Sequence, residues 1–136
     1  MLPCRECGFN LFIPLMHLEG VSLGLYNDAR FPGRCILALD EHFEHLDEVP
    51  QALLSEFNRA ASQIGSALRR ANLGSRVNYA VLGNVHAHVH MHIIPRGAAT
   101  DPLPGRPIWE ATTPATRMSQ PEVERCVRRF LAELTG

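Results

Sequence analysis

The chain has 136 residues, 46% of them hydrophobic, which is enough to build one domain around a real core and makes two domains cramped. Thirteen basic residues against 14 acidic leave a net charge of −1 with no basic block, which argues against a protein that tracks a polynucleotide backbone. No apolar run approaches the roughly 20 residues that span a bilayer, and the opening "MLPCRECGFNLFIPLM" has no basic leader before its short apolar stretch, so a soluble, cytoplasmic protein with no membrane partner is expected.

In chain order, the head carries Cys4 and Cys7; with Cys35 and Cys126 these are too few and too scattered for a disulfide scaffold, and reduced thiols are expected. "GVSLGLYND" and "GRCILALD" predict two strands joined by a tight turn, "ARFPG", that carries Pro32 and Gly33. From Pro50 to about Ala71, Leu53, Leu54, Phe57, Ala60, Ala61, Ile64 and Leu68 recur at helical spacing, with Arg69 and Arg70 in the last turn and Gly74 just beyond. "RVNYAVLG" and the segment after it are separated by little more than Gly83 and Asn84, so they are expected to pair antiparallel. Residues 96–118 hold Pro102, Pro104, Pro107 and Pro114 around Trp109, a loop too long to be a mere connector and a candidate cover for a site. A second helix is predicted over 119–134, with a capping box from Ser119 to Glu122 and an apolar stripe of Val123, Val127, Phe130 and Leu134. Four strands and two helices in one domain, with no repeats, make the expected class α+β.

The stretch "HAHVHMHIIPR" (86–96) sets histidines at 86, 88, 90 and 92. Seven histidines in the whole chain would fill four alternate positions by chance roughly once in a thousand. Alternation with Ala87, Val89, Met91 and Ile93 predicts a strand with one apolar face and one face of imidazoles, rooted about 6.6 Å apart. Like charges that close depress one another's pKa, so the rings are expected to be mostly neutral, and neutral imidazole is both a nucleophile and a metal ligand. A merely polar strand face leaves such a row unexplained. A barrel-type metal hydrolase using His-x-His needs further ligands from later strands, and no histidine follows His92.

Residues 88–96, "HVHMHIIPR", resemble the signature of the histidine-triad (HIT) family, and the order of elements over roughly residues 4–96 is similar to that family's. The resemblance implies a HIT-like half-barrel: a bent antiparallel sheet, a long central helix and a C-terminal helix. It also implies a nucleotide hydrolase or transferase. Such an enzyme attacks the α-phosphorus of a nucleoside phosphoramidate, dinucleoside polyphosphate or related nucleotide through a covalent nucleotidyl-histidine. Carried over residue by residue, His90 is the nucleophile and His88 and His92 flank it as the other catalytic histidines. His92, Arg96 and backbone amides are expected to supply donors to the phosphate without Mg²⁺ or another cofactor. The other alternative is a non-catalytic nucleotide- or zinc-binding module of the same fold.

The resemblance extends to further residues. Cys4 and Cys7 alone make a poor zinc site, but the family's zinc-holding members pair such cysteines with two histidines, which here match His42 and His88; His45 competes with His42. Asn27 and Asp28 stand where ribose hydroxyls are bound, Asn78 matches an asparagine near the phosphate, and Asn84 stands where a glutamine is usual. Trp109 is placed to pack on the base or leaving group. Two-fold homodimers are expected by the same analogy. Two departures stand out: Val85 and an extra His86 replace a hydroxyl-bearing residue before the triad, and Pro32-Gly33-Arg34 replaces a Pro-Gly-His turn, putting a guanidinium where an imidazole lines the site.

Overall fold

Five strands and two long helices make up the fold, in a computed structural model that describes residues 1–135. They are β1 (Ile13–Leu18), β2 (Val21–Leu25), β3 (Cys35–Leu39), α1 (Gln51–Arg70), β4 (Arg76–Ala80), β5 (His90–Arg96) and α2 (Gln120–Thr135). The strands form one antiparallel sheet in the order β1-β2-β3-β5-β4. The α+β class, the central helix and the C-terminal helix are as expected.

Strand β1 is an addition to the four anticipated strands. Its alternation is hidden by Pro14 and by a register shift between Pro14 and Met16, both of which an edge strand tolerates. Glu19 and Gly20 turn it into β2, with Gly20 at φ +79°. Between β2 and β3, Arg34 donates its amide to the carbonyl of Phe31 at 3.0 Å, with Gly33 at φ +93°, as a Pro-Gly turn of type II requires.

One sheet face presents Val21, Leu23, Leu37, Leu39, Met91 and Ile93 to Phe57, Ile64 and Leu68 of α1 and to Val123, Cys126 and Phe130 of α2. Each such side chain taken from water contributes about 1.5–3 kcal/mol, so this layer fixes which way every strand faces. Helix α1 ends on Asn72 rather than Gly74: Asn72 takes the left-handed conformation at φ 57°, and the amides of Asn72 and Leu73 cap the carbonyls of Arg69 and Leu68. The capping box of α2 forms as expected, with Ser119 and Glu122 each receiving the other's backbone amide.

The opposite face carries Gly24, Ile36, Ala38, His90, His92, Ile94 and Arg96, and two irregular segments cover its ends. Leu11 of the head lies directly on Gly24, where a Cβ would come within 2.9 Å of it. Leu103 and Ile108 of the long loop pack with Phe31 and Ile94 as a second, smaller core. His90 and His92 lie between the two covers.

Gly74 is where the chain leaving α1 presses on β5: a Cβ there would stand 2.7 Å from the amide nitrogen and 2.9 Å from the carbonyl oxygen of Arg96, and backbone cannot step aside. Gly74→Ala is therefore expected to destabilise the fold by about 1–3 kcal/mol in urea unfolding, against the usual small gain of such a change outside a turn.

Candidate active site and metal centre

The histidine row is not one strand. β5 begins at His90, and residues 81–89 form an irregular connection instead of a tight turn, held to the end of β3 by bonds from the Leu39 amide to the Val89 carbonyl and from the Val89 amide to the Phe43 carbonyl. His86 and Ala87 are exposed, while His88 is fully buried. Alternation in sequence continues past the point where strand pairing stops, because His88 is drawn toward the head.

His90 and His92 share the second face, opposite Ala38 and Ile36 of β3, with ring centroids 5.4 Å apart. The Nδ1–H of His90 donates to the carbonyl of His88 at 2.6 Å. A carbonyl only accepts, so the proton sits on Nδ1 and the Nε2 lone pair is free; Nε2 has no hydrogen-bond partner among the described residues. Burial pushes the His90 pKa down, and the hydrogen bond to the carbonyl only partly offsets it, so the ring is neutral. His92 is pushed down to about 4, by burial first and then by the charge of Arg34.

Arg34 was expected to line the site and instead lies behind it. It is buried, its Nη2 is 3.2 Å from Nδ1 of His92, its guanidinium carbon sits 3.9 Å over the Tyr26 ring, and its Nη1 reaches Asp28 at 3.3 Å. Asp28 is buried too and also binds Arg30 at 2.8 Å. Burial alone would raise the Asp28 carboxyl, but the Arg30 hydrogen bonds and the two guanidinium charges outweigh it and hold it below the usual range.

The side chains of Cys4, Cys7, His42 and His88 converge, their ligand atoms all within 4.8 Å of one another. Sγ of Cys4 lies 3.6 Å from Nδ1 of His42, and Sγ of Cys7 lies 3.5 Å from Nδ1 of His88. Tetrahedral zinc, with bonds of about 2.3 Å to sulfur and about 2.05 Å to nitrogen, would hold such pairs about 3.6 Å apart. The Nε2–H of His88 donates to the Leu39 carbonyl at 2.6 Å, which leaves Nδ1 as the ring's lone pair toward the cysteines. His42 has a carboxylate, that of Glu6, 3.9 Å from its Nε2. The four residues fit a tetrahedral divalent ion, and His45 is exposed and outside the cluster.

The remaining sequence candidates divide. Trp109, half-exposed, stands edge-on to His92 with centroids 6.0 Å apart. Arg96, expected as a phosphate donor, is buried and binds Asp101 at 2.9 Å, the carbonyls of Leu103 and Arg106 at 2.7 and 2.6 Å, and Asn78 at 2.7 Å, so it ties down the long loop. Asn78 is thereby engaged as its partner. Asn27 exchanges two hydrogen bonds with the backbone of Met118, and the Asp28 carboxylate binds the two arginines. Asn84 is exposed in the 81–89 connection. Sequence reading missed Phe9, which stacks on His88 at 4.8 Å and 2° and tilts over His90 at 4.8 Å. Its signal was its place just after Cys7-Gly8, where Cys4 donates its amide to the Phe9 carbonyl at 2.8 Å and so closes the cysteine loop.

A model of the HIT domain matches residues 14–99, more than half of the chain. The chain belongs to the HIT family. No curated protein matches the sequence. Among solved structures, a histidine triad protein from Sinorhizobium meliloti is similar at 23% identity and a TM-score of 0.80, over 89% of this chain and 88% of that one. A zinc-bound histidine triad family protein from Mycobacterium smegmatis matches at 18% and 0.64, over 90% and 83%. The diadenosine triphosphate hydrolase of Plasmodium falciparum matches at 14% and 0.60, over 90% and 74%. At these identities the likeness shows the HIT fold. No helix among the described residues is long and apolar enough to cross a membrane.

The depressed imidazoles set the acid behaviour of this HIT domain. His92 in the unfolded chain takes a proton below about pH 6.5, whereas in the fold it does so only near 4. Between those values the unfolded chain binds more protons, so stability falls as pH falls through that window. Urea midpoints are expected to drop from pH 7 to pH 4.5, and His92→Gln is expected to make the drop smaller; an equal drop in both proteins would place its origin elsewhere.

Proposed function

We propose that the protein is a nucleotide hydrolase or nucleotidyl transferase that acts at the α-phosphorus through a covalent intermediate on Nε2 of His90. The observation that carries this reading is the bond from His90 Nδ1–H to the His88 carbonyl, which commits the ring's other nitrogen to a lone pair without any metal or neighbouring base. When Nε2 bonds to phosphorus the ring becomes cationic, and the proton on Nδ1 stays there, donated to the His88 carbonyl, which stabilises the charge. His92, one step along the strand, is the donor nearest to the nonbridging oxygens; phosphoryl-type transfer asks mostly for such positioning.

A cavity of about 520 Å³ lined by Phe12, Ile13, Tyr26, Asn27, Asp28 and residues 115–117 adjoins this pair through Tyr26, whose ring is 6.4 Å from that of His92. It has the size of a small-ligand site, and Phe12, 90% exposed at its rim, offers a face for a base to stack on. The nucleoside belongs there, with the phosphate over His90 and Trp109 at the far side of His92. Another cavity, of about 580 Å³ and lined by Ser66, Arg69, Arg70 and Asn72 among others, contains no histidine or cysteine.

The cluster of Cys4, Cys7, His42 and His88 is assigned to a structural zinc ion. Zinc there ties the head to the fold, and through His88 it reaches the residue whose carbonyl orients the nucleophile. A two-fold homodimer through the free edge of β4 completes this reading.

Two measurements test it. His90→Asn keeps a donor for the His88 carbonyl, and it is expected to cut turnover at least about 10³-fold and to abolish the nucleotide adduct in intact-mass spectra of quenched reactions. An adduct that persists in the variant would rule out His90 as the nucleophile. Elemental analysis of protein folded with zinc is expected to give one ion per chain, lost in Cys4→Ser and retained in His45→Ala, with a lower thermal midpoint after chelation. Protein that stays zinc-free under those conditions would remove the metal assignment.

A further inference from the structure

Arg34, buried behind the histidine face, contacts His92 through its guanidinium. A guanidinium donates and never accepts. Nδ1 of His92, 3.2 Å from Arg34 Nη2, must therefore be the acceptor, and the ring's single proton must lie on Nε2. His90 and His92, neighbours on one face of β5, are thus locked in opposite tautomers: one by a carbonyl that takes a proton from Nδ1, the other by a cation that offers one. A second proton on His92 would break the Arg34 contact and set two cations against each other in a buried place. The low pKa of His92 agrees with this.

We propose that Arg34 holds His92 as a neutral donor that cannot act as an acid toward the departing group, and that the enzyme is thereby specific for nucleotide anhydrides over phosphoramidates. The proposal rests on His90 as the nucleophile. In the first step the Nε2 lone pair of His90 forms the N–P bond while the bond from phosphorus to the leaving atom breaks, and the electron pair goes with the leaving group. A phosphate or carboxylate leaves as a stable anion and needs no proton. An alkylamine would have to leave as an amide anion unless an acid protonated it, and neutral imidazole is far too weak an acid to do so. The second step is common to both substrates: water adds to phosphorus, the N–P bond breaks, its pair returns to Nε2, and one proton from the water passes to solvent.

Around His92 the charged and titratable neighbours are Arg34, His90 and Tyr26, with Trp109 edge-on. None is placed as a general acid in this arrangement: Arg34 keeps its proton, and His90 is consumed as the nucleophile. Arg34 is a positioning residue, since it lies behind the ring and does not touch substrate. Its charge is shared with Asp28, which Arg30 also binds, so one net positive charge remains under the phosphate site and favours the negative character of a polyphosphate.

The test compares formation of the His90 adduct by rapid quench and intact mass, using the full chain with diadenosine and diguanosine triphosphate, an acyl adenylate, and the propylamine phosphoramidates of AMP and GMP. The anhydrides are expected to load His90 at least about 10²-fold faster, the usual worth of a general acid. Arg34→Gln, whose amide can accept as well as donate, is expected to narrow that ratio and to mix the tautomers of His92 in ¹⁵N NMR, whereas Arg34→Lys retains both. Loading by phosphoramidates within tenfold of the anhydrides in the unaltered protein would overturn the specificity while leaving the nucleophile in place, and would hand the proton to His86, whose ring is 6.5 Å from that of His90. No adduct from any of the substrates would overturn both readings.

Discussion

His88 is the residue on which the arrangement turns, because it is held from three directions at once. Its Nε2–H is fixed to the Leu39 carbonyl at the end of β3, its Nδ1 points to Cys7, and its own carbonyl receives Nδ1–H of His90. Each bond decides the next. The Leu39 carbonyl sets the tautomer of His88, which turns the ring's lone pair toward the cysteines; the ring's position sets the backbone, and the backbone sets the tautomer of His90. A buried ring with both nitrogens engaged also explains why strand pairing begins only at His90: the chain at 86–89 follows His88 toward the head instead of continuing the ladder.

The same bonds bear on how the proposed metal centre and the proposed nucleophile can share one short segment. A divalent ion close to several imidazoles would ordinarily recruit all of them, and a metallated His90 could not attack phosphorus. Here the nitrogen of His90 that faces the His88 backbone carries a proton, and its lone pair is on the other side of the ring. His90 is accordingly absent from the group of converging ligand atoms, although it is only two residues from His88. Phe9, stacked on the ring of His88 and tilted against that of His90, sets an apolar ring against both.

Much of the fold was legible because period and punctuation agreed: α1 and α2 fall within a residue or two of their expected limits, and the register of β2, β3 and β5 follows their apolar faces. The ligand set Cys4, Cys7, His42 and His88, taken from the resemblance, comes together in space. What residue type alone left out was the partner of each polar side chain. Arg34 read as a guanidinium lining the site, in place of an imidazole, and Arg96 as a phosphate donor. Both are buried instead, each paired with an aspartate, and Arg96 finds three of its partners only five to ten residues downstream in a loop whose path no periodicity reveals. The partner of Asn27 is hidden for the same reason: it is the backbone of Met118, 91 residues away.

These buried arginines also explain why the histidine face can be covered at both ends and still leave a site between. An uncompensated guanidinium under a loop would cost several kcal/mol, so each is fixed by a fully buried carboxylate, Asp28 or Asp101, and by loop carbonyls in the case of Arg96. The loop is thereby pinned by polar bonds rather than by a large apolar surface, its own core amounting to Phe31, Ile94, Ile108 and Leu103. Bonds of this kind specify position more than they add stability, and position is what Trp109 and the ring of His92 require of the loop and of Arg34. The sheet supplies the proposed nucleophile; the two arginines decide what stands around it.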